Sequence, residues 1–287
     1  MNTDGKSIIL NDNVLEASIE IIGGNIDKSK LIITYIDTTP PNLDVNYSTK
    51  ELTKESVTVS ISANEKLQPI EGWTLSDDKL TLTKPYSKNT SEEIEVSDIS
   101  GNKSTAKIEI TNIDTTTPQV EINYSTTQPT NTNVIATITA NEKIKPLDGW
   151  TLFDDQLILT KIFENNTNQN LKIYDLAGNE KTLALEINNI DKTNPTLNIQ
   201  YSTQQLTNEN VTVSISANKK IKPLDGWTLS DDQLTLSKVF EANSNKELTI
   251  YDLAGNSSTA KIEITNIDKS NPTLNIQYST QQLTNEN

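Results

Sequence analysis

The chain of 287 residues contains no cysteine and no histidine, and all 24 of its basic residues are lysine. These absences remove the thiol nucleophile, the usual general base near neutral pH, the nitrogen and sulfur ligands of most transition-metal sites and the bidentate guanidinium clamp for phosphate groups. No remaining nucleophile is paired with a suitable base. We therefore expect a protein that is not an enzyme.

Long hydrophobic runs and aromatic residues are also scarce. Hydrophobic residues make up 33% of the chain and aromatic residues 5%, and the formal net charge is -15. No stretch approaches the ~18 consecutive apolar residues of a transmembrane helix, and a strongly negative surface repels nucleic acid. We expect neither a membrane span in this stretch of chain nor a nucleic-acid partner.

An internal repeat of 77 residues runs through the chain without insertions, as the spacing of Trp73, Trp150 and Trp227 shows. Such a period indicates an array of small units. The predicted organisation is a partial, degenerate repeat at 1–37, complete repeats at 38–114, 115–191 and 192–268, and the start of a truncated repeat at 269–287. Residues 194–210 are identical to residues 271–287, which indicates recent duplication and predicts that this chain is a fragment of a longer array.

Period-two alternation of apolar and polar residues predicts six or seven short strands in each repeat. In the first complete repeat, Leu43, Val45 and Tyr47 alternate with polar residues, and the run at 57–63 does the same. Turn sequences such as SDDK and SGNK separate the runs, and no segment shows a sustained helical period. Because each strand has one apolar face, the faces must pair across two sheets. We predict an all-β chain of tandem β-sandwich repeats of about 77 residues.

A motif at the end of each repeat resembles one known family. The chain reads D-x-x-G-N, then a strand, then I-D-x-x-x-P, as in SDISGN to NIDTTTP, YDLAGN to NIDKTNP and YDLAGN to NIDKSNP. This resembles the bacterial immunoglobulin-like repeat domains of Gram-positive surface proteins and adhesin stalks. The resemblance implies immunoglobulin-like sandwiches, a secreted, cell-surface or cell-wall location, and a role as a spacer or adhesive rod. It implies no particular ligand.

Strand direction predicts a cluster of oxygen ligands at one end of each repeat. We call the end nearest the preceding linker the N-terminal pole and the opposite end the C-terminal pole. If the last strand ends at the C-terminal pole, the second and fifth strands end at the N-terminal pole, beside the linker. Oxygen-only clusters suit Ca²⁺, which takes six to eight oxygen ligands. The candidate ligands are Asp37, Asn64, Glu65 and Asp98, then Asp114, Asn141, Glu142 and Asp175, then Asp191, Asn218 and Asp252.

The alternative to a metal site is that these acids cap turns. Asp98 and its equivalents can accept backbone N–H groups in Asx turns, while the linker aspartates precede Thr- and Pro-containing extensions. Two departures from the pattern favour this alternative: Lys219 replaces the glutamate in the last complete repeat, and Ile21 replaces the aspartate in the N-terminal remnant.

The tryptophans also have two possible interpretations. A tryptophan in the G-W-T-L context of each repeat is either a platform for sugar stacking or a core residue, and we expect it to be mostly buried.

Two functions fit these observations. The first is a non-catalytic extracellular stalk or spacer, with calcium stiffening the junctions between repeats. The alternative is a repeated adhesive module that binds a glycan or a host protein through a loop or an exposed edge strand. A spacer lets exposed positions drift between repeats, whereas repeated binding sites would keep exposed aromatic residues.

Overall fold

A computed structural model describes residues 37–277, and these residues form 18 strands and no helix. The strands of the first repeat are β1 (Leu43–Tyr47), β2 (Val57–Ala63), β3 (Thr74–Leu75), β4 (Thr81–Tyr86), β5 (Thr90–Ser97) and β6 (Lys103–Ile110). Those of the second are β7 (Val120–Tyr124), β8 (Val134–Ala140), β9 (Thr151–Leu152), β10 (Ile158–Phe163), β11 (Thr167–Tyr174) and β12 (Glu180–Ile187). Those of the third are β13 (Leu197–Tyr201), β14 (Val211–Ala217), β15 (Thr228–Leu229), β16 (Thr235–Phe240), β17 (Ser244–Tyr251) and β18 (Ser257–Ile264).

Each repeat packs a four-stranded sheet against a two-stranded sheet. In the first repeat the four-stranded sheet has the order β1-β2-β4-β3, and β5 pairs with β6. All pairings are antiparallel, and the same arrangement recurs in the other two repeats. The predicted all-β fold of tandem β-sandwich repeats is confirmed. The predicted partial repeat at 1–37 and the end of the truncated repeat at 269–287 lie largely outside the described residues.

The core of each sandwich is built from the apolar faces that alternate along the strands. Val57, Val59 and Ile61 on β2 are fully buried, and they form one cluster with Val96 on β5 and Ile108 on β6. Burial of each such side chain contributes about 1.5 to 3 kcal/mol relative to exposure. Equivalent clusters fill the second and third repeats. The sequence alternation therefore selects both the strands and the faces that pack together.

The tryptophans are half-buried, so the expectation of mostly buried rings is met only in part. Trp150 lies just before β9, a strand of two residues that pairs only with β10 at the edge of the four-stranded sheet. Its ring packs edge-on against Phe163, with the ring centroids 5.9 Å apart and an interplanar angle of 67°. A position beside such a short edge strand covers the ring from one side, which explains its partial exposure.

The first and last strands of a repeat end at the same pole. The chain after β1 forms a parallel bridge with the chain after β6, between Thr53 and Ile113. Thr53 donates its N–H to the carbonyl of Asn112 at 2.9 Å and accepts the N–H of Asp114 at 2.9 Å. The same bridge joins Thr130 to Ile190 and Thr207 to Ile267. These bonds close the C-terminal pole, where the linker to the next repeat begins.

Residues 37–277 contain no helix that is long and apolar enough to cross a membrane.

Candidate metal centre

Two groups of three acidic residues lie at the N-terminal poles of the first and second repeats. The first triad is Asp37, Glu65 and Asp98, and the second triad is Asp114, Glu142 and Asp175. In each triad, one carboxylate oxygen from every member lies within 4.8 Å of the other two. The predicted convergence of these acids is therefore confirmed for the first two repeats.

The third acid of each triad is buried and held by its own turn. Asp175 is 1% exposed, directly after β11, and one carboxylate oxygen accepts the backbone N–H groups of Gly178 at 2.6 Å and Asn179 at 2.8 Å. Its other oxygen accepts the side-chain amide of Asn179 at 2.8 Å. Gly178 has a φ of 98°, a backbone conformation that residues other than glycine rarely adopt. The predicted turn-capping role of this aspartate is thus present as well, and it fixes the direction of the carboxylate.

The hydrogen bonds also set the acidity of these groups. Burial raises the pKa of Asp98, but the side-chain and backbone hydrogen bonds from Asn102 outweigh this effect, so its pKa lies below the ordinary value. A buried carboxylate that keeps its charge at neutral pH requires nearby donors or a cation. The turn supplies the donors on one side of the group.

The linker aspartate is positioned by a second Asx turn. Asp37, Asp114 and Asp191 each accept, through Oδ1, the backbone N–H of the residue two positions later, at 3.0, 2.9 and 3.0 Å. Asn179 donates its side-chain amide to the carbonyl of Asp114 at 2.9 Å, as well as to Asp175. One asparagine therefore joins the linker to the buried acid.

This asparagine, which is Asn102, Asn179 or Asn256 in the three repeats, is the site residue that the sequence interpretation missed. Its signal was the invariant last position of the D-x-x-G-N motif.

The asparagines predicted as ligands have a different partner. Asn64, Asn141 and Asn218 each accept, through the side-chain oxygen, a backbone N–H at the start of their own repeat: that of Asn42 at 2.7 Å, Gln119 at 2.8 Å and Thr196 at 2.8 Å. These bonds hold the end of the second strand against the beginning of the first. A role for these asparagines as metal ligands stays a prediction.

The second triad is electrostatically strained as a set of three carboxylates. Its carboxylate oxygens lie within 4.8 Å of one another, and two unit charges at that distance repel by about 3 kcal/mol at an effective dielectric constant of about 20. Accordingly, burial and the charges of Asp114 and Asp175 raise the pKa of Glu142 above its ordinary value. A bound cation would reverse the sign of this effect.

The geometry of the triads fits a calcium ion. Calcium binds oxygen at about 2.3 to 2.6 Å, so two ligands on opposite sides of the ion lie about 4.6 to 5.2 Å apart. Every separation within a triad is at most 4.8 Å, so one ion could contact all three carboxylates. The donors are carboxylates, which hard cations prefer, and no histidine or cysteine exists in the chain to favour a softer metal.

The third repeat brings its two aspartates to a lysine instead of a third acid. Lys219 stands at the position of Glu65 and Glu142, and its Nζ lies 2.7 Å from Oδ2 of Asp191 and 3.5 Å from Oδ2 of Asp252. The hydrogen bonds from Lys219 and Thr193 lower the pKa of Asp191 to about 2. The two aspartates predicted to converge in this repeat therefore do so, around a lysine.

The N-terminal poles of the second and third repeats also meet the preceding repeat. Lys54, in the loop after β1, donates its backbone N–H to the carbonyl of Ala177 at 3.2 Å. Asn131 makes the equivalent bond to Ala254 at 3.0 Å. The acceptors belong to the same turns that carry Asp175 and Asp252. The C-terminal pole of one repeat thus touches the turn that holds the buried acid of the next.

Comparison with known proteins identifies no family. No family model matches the chain, and no curated protein matches it. One solved structure with some likeness is a crystal structure with a xylogluco-oligosaccharide, with a TM-score of 0.26 and 10% sequence identity. The match covers 78% of this chain and 59% of that chain. A likeness at this level carries no conclusion about ligand or function.

Proposed function

We propose that this chain is part of a non-catalytic extracellular stalk of a bacterial cell-surface or secreted protein, and that calcium stiffens its junctions. The observation that carries the proposal is the place of the second triad. Asp175 sits in the turn whose Ala177 carbonyl accepts a hydrogen bond from Lys54 of the preceding repeat. An ion bound there would join the linker, the second repeat and the surface on which the first repeat rests.

End-to-end contact supports the spacer role. The loop that follows the first strand lies at the C-terminal pole, and the turn that it touches lies at the N-terminal pole of the next repeat. The linker prolines Pro41, Pro118 and Pro195 are buried, and each restricts the backbone where a repeat begins. Linkers that are anchored in this way favour an extended array over a flexible chain of beads.

Among residues 37–277, no aromatic residue is exposed at the equivalent position of all three repeats, and the tryptophans, which do recur, are half-buried. Phe153 is 49% exposed, but serine occupies its equivalent positions at 76 and 230. Tyr251 is 48% exposed, whereas Ser97 stands at its equivalent in the first repeat. Drift at exposed positions is what a spacer tolerates, so these residues favour the stalk over a repeated glycan-binding or host-protein-binding module.

Small-angle X-ray scattering of the full chain, with calcium and in calcium-free buffer, tests the proposal. We expect an elongated particle in both states, with a longer maximum dimension when calcium is bound. Glu142→Gln should reduce the lengthening, since it removes one charge from the second triad. The matched control is Glu164→Gln, which alters an exposed glutamate in the same repeat and should respond like the unmodified protein. A compact particle would contradict the stalk, and an elongated one that ignores calcium would contradict the stiffening.

A further inference from the structure

Lys219 occupies the place of an acid within an otherwise unchanged cluster. The linker aspartate and the buried aspartate are present in all three repeats, as is the asparagine that joins them. At the remaining position the first two repeats have Glu65 and Glu142, and the third has Lys219. The cluster therefore changes from three carboxylates to two carboxylates and one ammonium group.

The contacts of the Lys219 ammonium group are those of a cation in an oxygen cage. Nζ lies 2.7 Å from Oδ2 of Asp191, 2.8 Å from the carbonyl of Thr193, 2.7 Å from Oγ1 of Thr193 and 3.5 Å from Oδ2 of Asp252. Four oxygens from the linker and the buried turn thus surround one positive charge. The side chain of Lys219 is 22% exposed, and those of its carboxylate partners Asp191 and Asp252 are 40% and 2% exposed, so the ammonium group is partly shielded from solvent.

The ammonium group remains charged in this position. Burial lowers the pKa of Lys219, but the hydrogen bond from Lys219 to Asp191 and the charges of Asp191 and Asp252 outweigh burial, so the pKa lies above its ordinary value. The site also has a net formal charge of one negative unit, against three in each triad. The electrostatic reason for binding a divalent ion is correspondingly weaker.

A second lysine reinforces the same junction. Lys192 follows the linker aspartate, and its Nζ donates to Oδ1 of Asn133 in the second repeat at 2.9 Å. Thr115 stands at the equivalent position between the first and second repeats, and Ser56 replaces the asparagine. The junction between the second and third repeats therefore has a direct side-chain clamp that these shorter residues do not reproduce.

We propose that Lys219 is a tethered cation that takes the place of calcium, so that the junction between the second and third repeats holds without the metal. The chemistry of the junctions then differs along the array: the junctions at the first and second triads respond to calcium, and the next one does not. This inference rests on the proposed calcium-stiffened stalk. The ligand class for the two triads is a divalent cation with oxygen coordination, and for the third cluster it is the chain's own ammonium group.

The number of calcium ions bound per full chain tests this inference. Equilibrium dialysis should find two sites in residues 37–277 of the unmodified protein, three in Lys219→Glu and one in Glu142→Lys. Lys220→Glu, at the exposed neighbouring lysine, is the matched control for charge and should leave the number unchanged. In calcium-free buffer, Glu142→Lys should raise the unfolding temperature of the second repeat, because it supplies the missing cation.

The two reversed substitutions keep the test decisive if one variant folds poorly. A Lys219→Glu chain that folds but gains no site, beside an unmodified chain that binds two ions, would overturn the tethered-cation inference and leave the proposed stalk intact. Glu142→Lys that keeps both sites would have the same meaning. An unmodified chain that binds no calcium would overturn the calcium-stiffened junction itself, and the inference with it.

Discussion

Calcium should stabilise the first two repeats and leave the third unchanged. Each triad offers three carboxylates within 4.8 Å, two of them only partly buried. Such a site resembles the weaker calcium sites of extracellular modules, with dissociation constants of about 10⁻⁴ to 10⁻³ M. At a free calcium concentration fifty times the dissociation constant, binding to the folded state alone contributes about 2 kcal/mol. For a domain of this size, about 1 kcal/mol corresponds to roughly 4 to 8 °C, so the unfolding temperature should rise by about 10 to 15 °C.

Differential scanning calorimetry of the full chain measures this shift. With calcium, the transitions of the first two repeats should move upward, and the transition of the third should stay where it is. Asp175→Asn should abolish the shift in the second repeat, since it removes the charge of the buried ligand while the asparagine oxygen can still accept the turn's backbone N–H groups. Asp154→Asn makes the same change at an exposed hairpin turn of that repeat and should leave the shift intact. Equal shifts in all three repeats, or none, would refute the assignment of the cation to the triads.

Three other perturbations have defined outcomes. Because the folded-state pKa of Glu142 is raised, stability in calcium-free buffer should fall as pH rises from about 4.5 through that pKa, and urea titrations should find this dependence lost in Glu142→Gln. Trp150→Ala should lower the free energy of unfolding by about 2 to 3 kcal/mol, because the half-buried ring loses mainly its contact with Phe163. A fully buried tryptophan would cost roughly 3 to 5 kcal/mol. A loss below about 1 kcal/mol in urea titrations would contradict this packing. Asn179→Ala should lower the free energy of unfolding by about 1 to 3 kcal/mol, since it removes the side-chain donor of Oδ2 of Asp175 and of the linker carbonyl while the backbone N–H donors of Asp175 remain. Asn170→Ala, on an exposed strand position, should be nearly neutral in the same denaturant titration.

Most of the fold was predictable because the repeat shows the same alternation three times. The run at 57–63 has one apolar face, and the structure buries that face at Val57, Val59 and Ile61. Strand direction was harder to predict, since strict alternation of six strands would end β6 at the N-terminal pole. In the structure β2 and β3 both run antiparallel to β4, so they share a direction, and β6 ends at the C-terminal pole. The stretch between β2 and β3 returns the chain to the C-terminal pole without forming a strand. Because β3 has only two residues, its sequence pattern is too short to reveal its direction.

The positions of the acids in the candidate site could be predicted from the sequence, but the role of the lysine could not. The convergence of Asp114, Glu142 and Asp175 followed from one condition, that the last strand ends where the linker to the next repeat begins. That condition places the ends of the second and fifth strands at the opposite pole. The contacts of Lys219 could not be predicted from the sequence, because a lysine in place of a glutamate indicates only that a ligand has been lost. Its long side chain reaches Asp191 and Thr193 only because the linker turn presents both of them to it. That presentation depends on backbone geometry that no alternation pattern records.

The parallel bridge at the C-terminal pole has a mechanical consequence. If the proposed stalk is pulled along its length, the force would enter each repeat through β1 and leave it through the chain after β6. The two hydrogen bonds of Thr53, to Asn112 and Asp114, join these two segments side by side. Tension then slides the segments past each other, and both bonds must break together instead of opening one after the other. The parallel strand ends therefore act as a shear clamp, and every repeat in the described array carries one where the next begins.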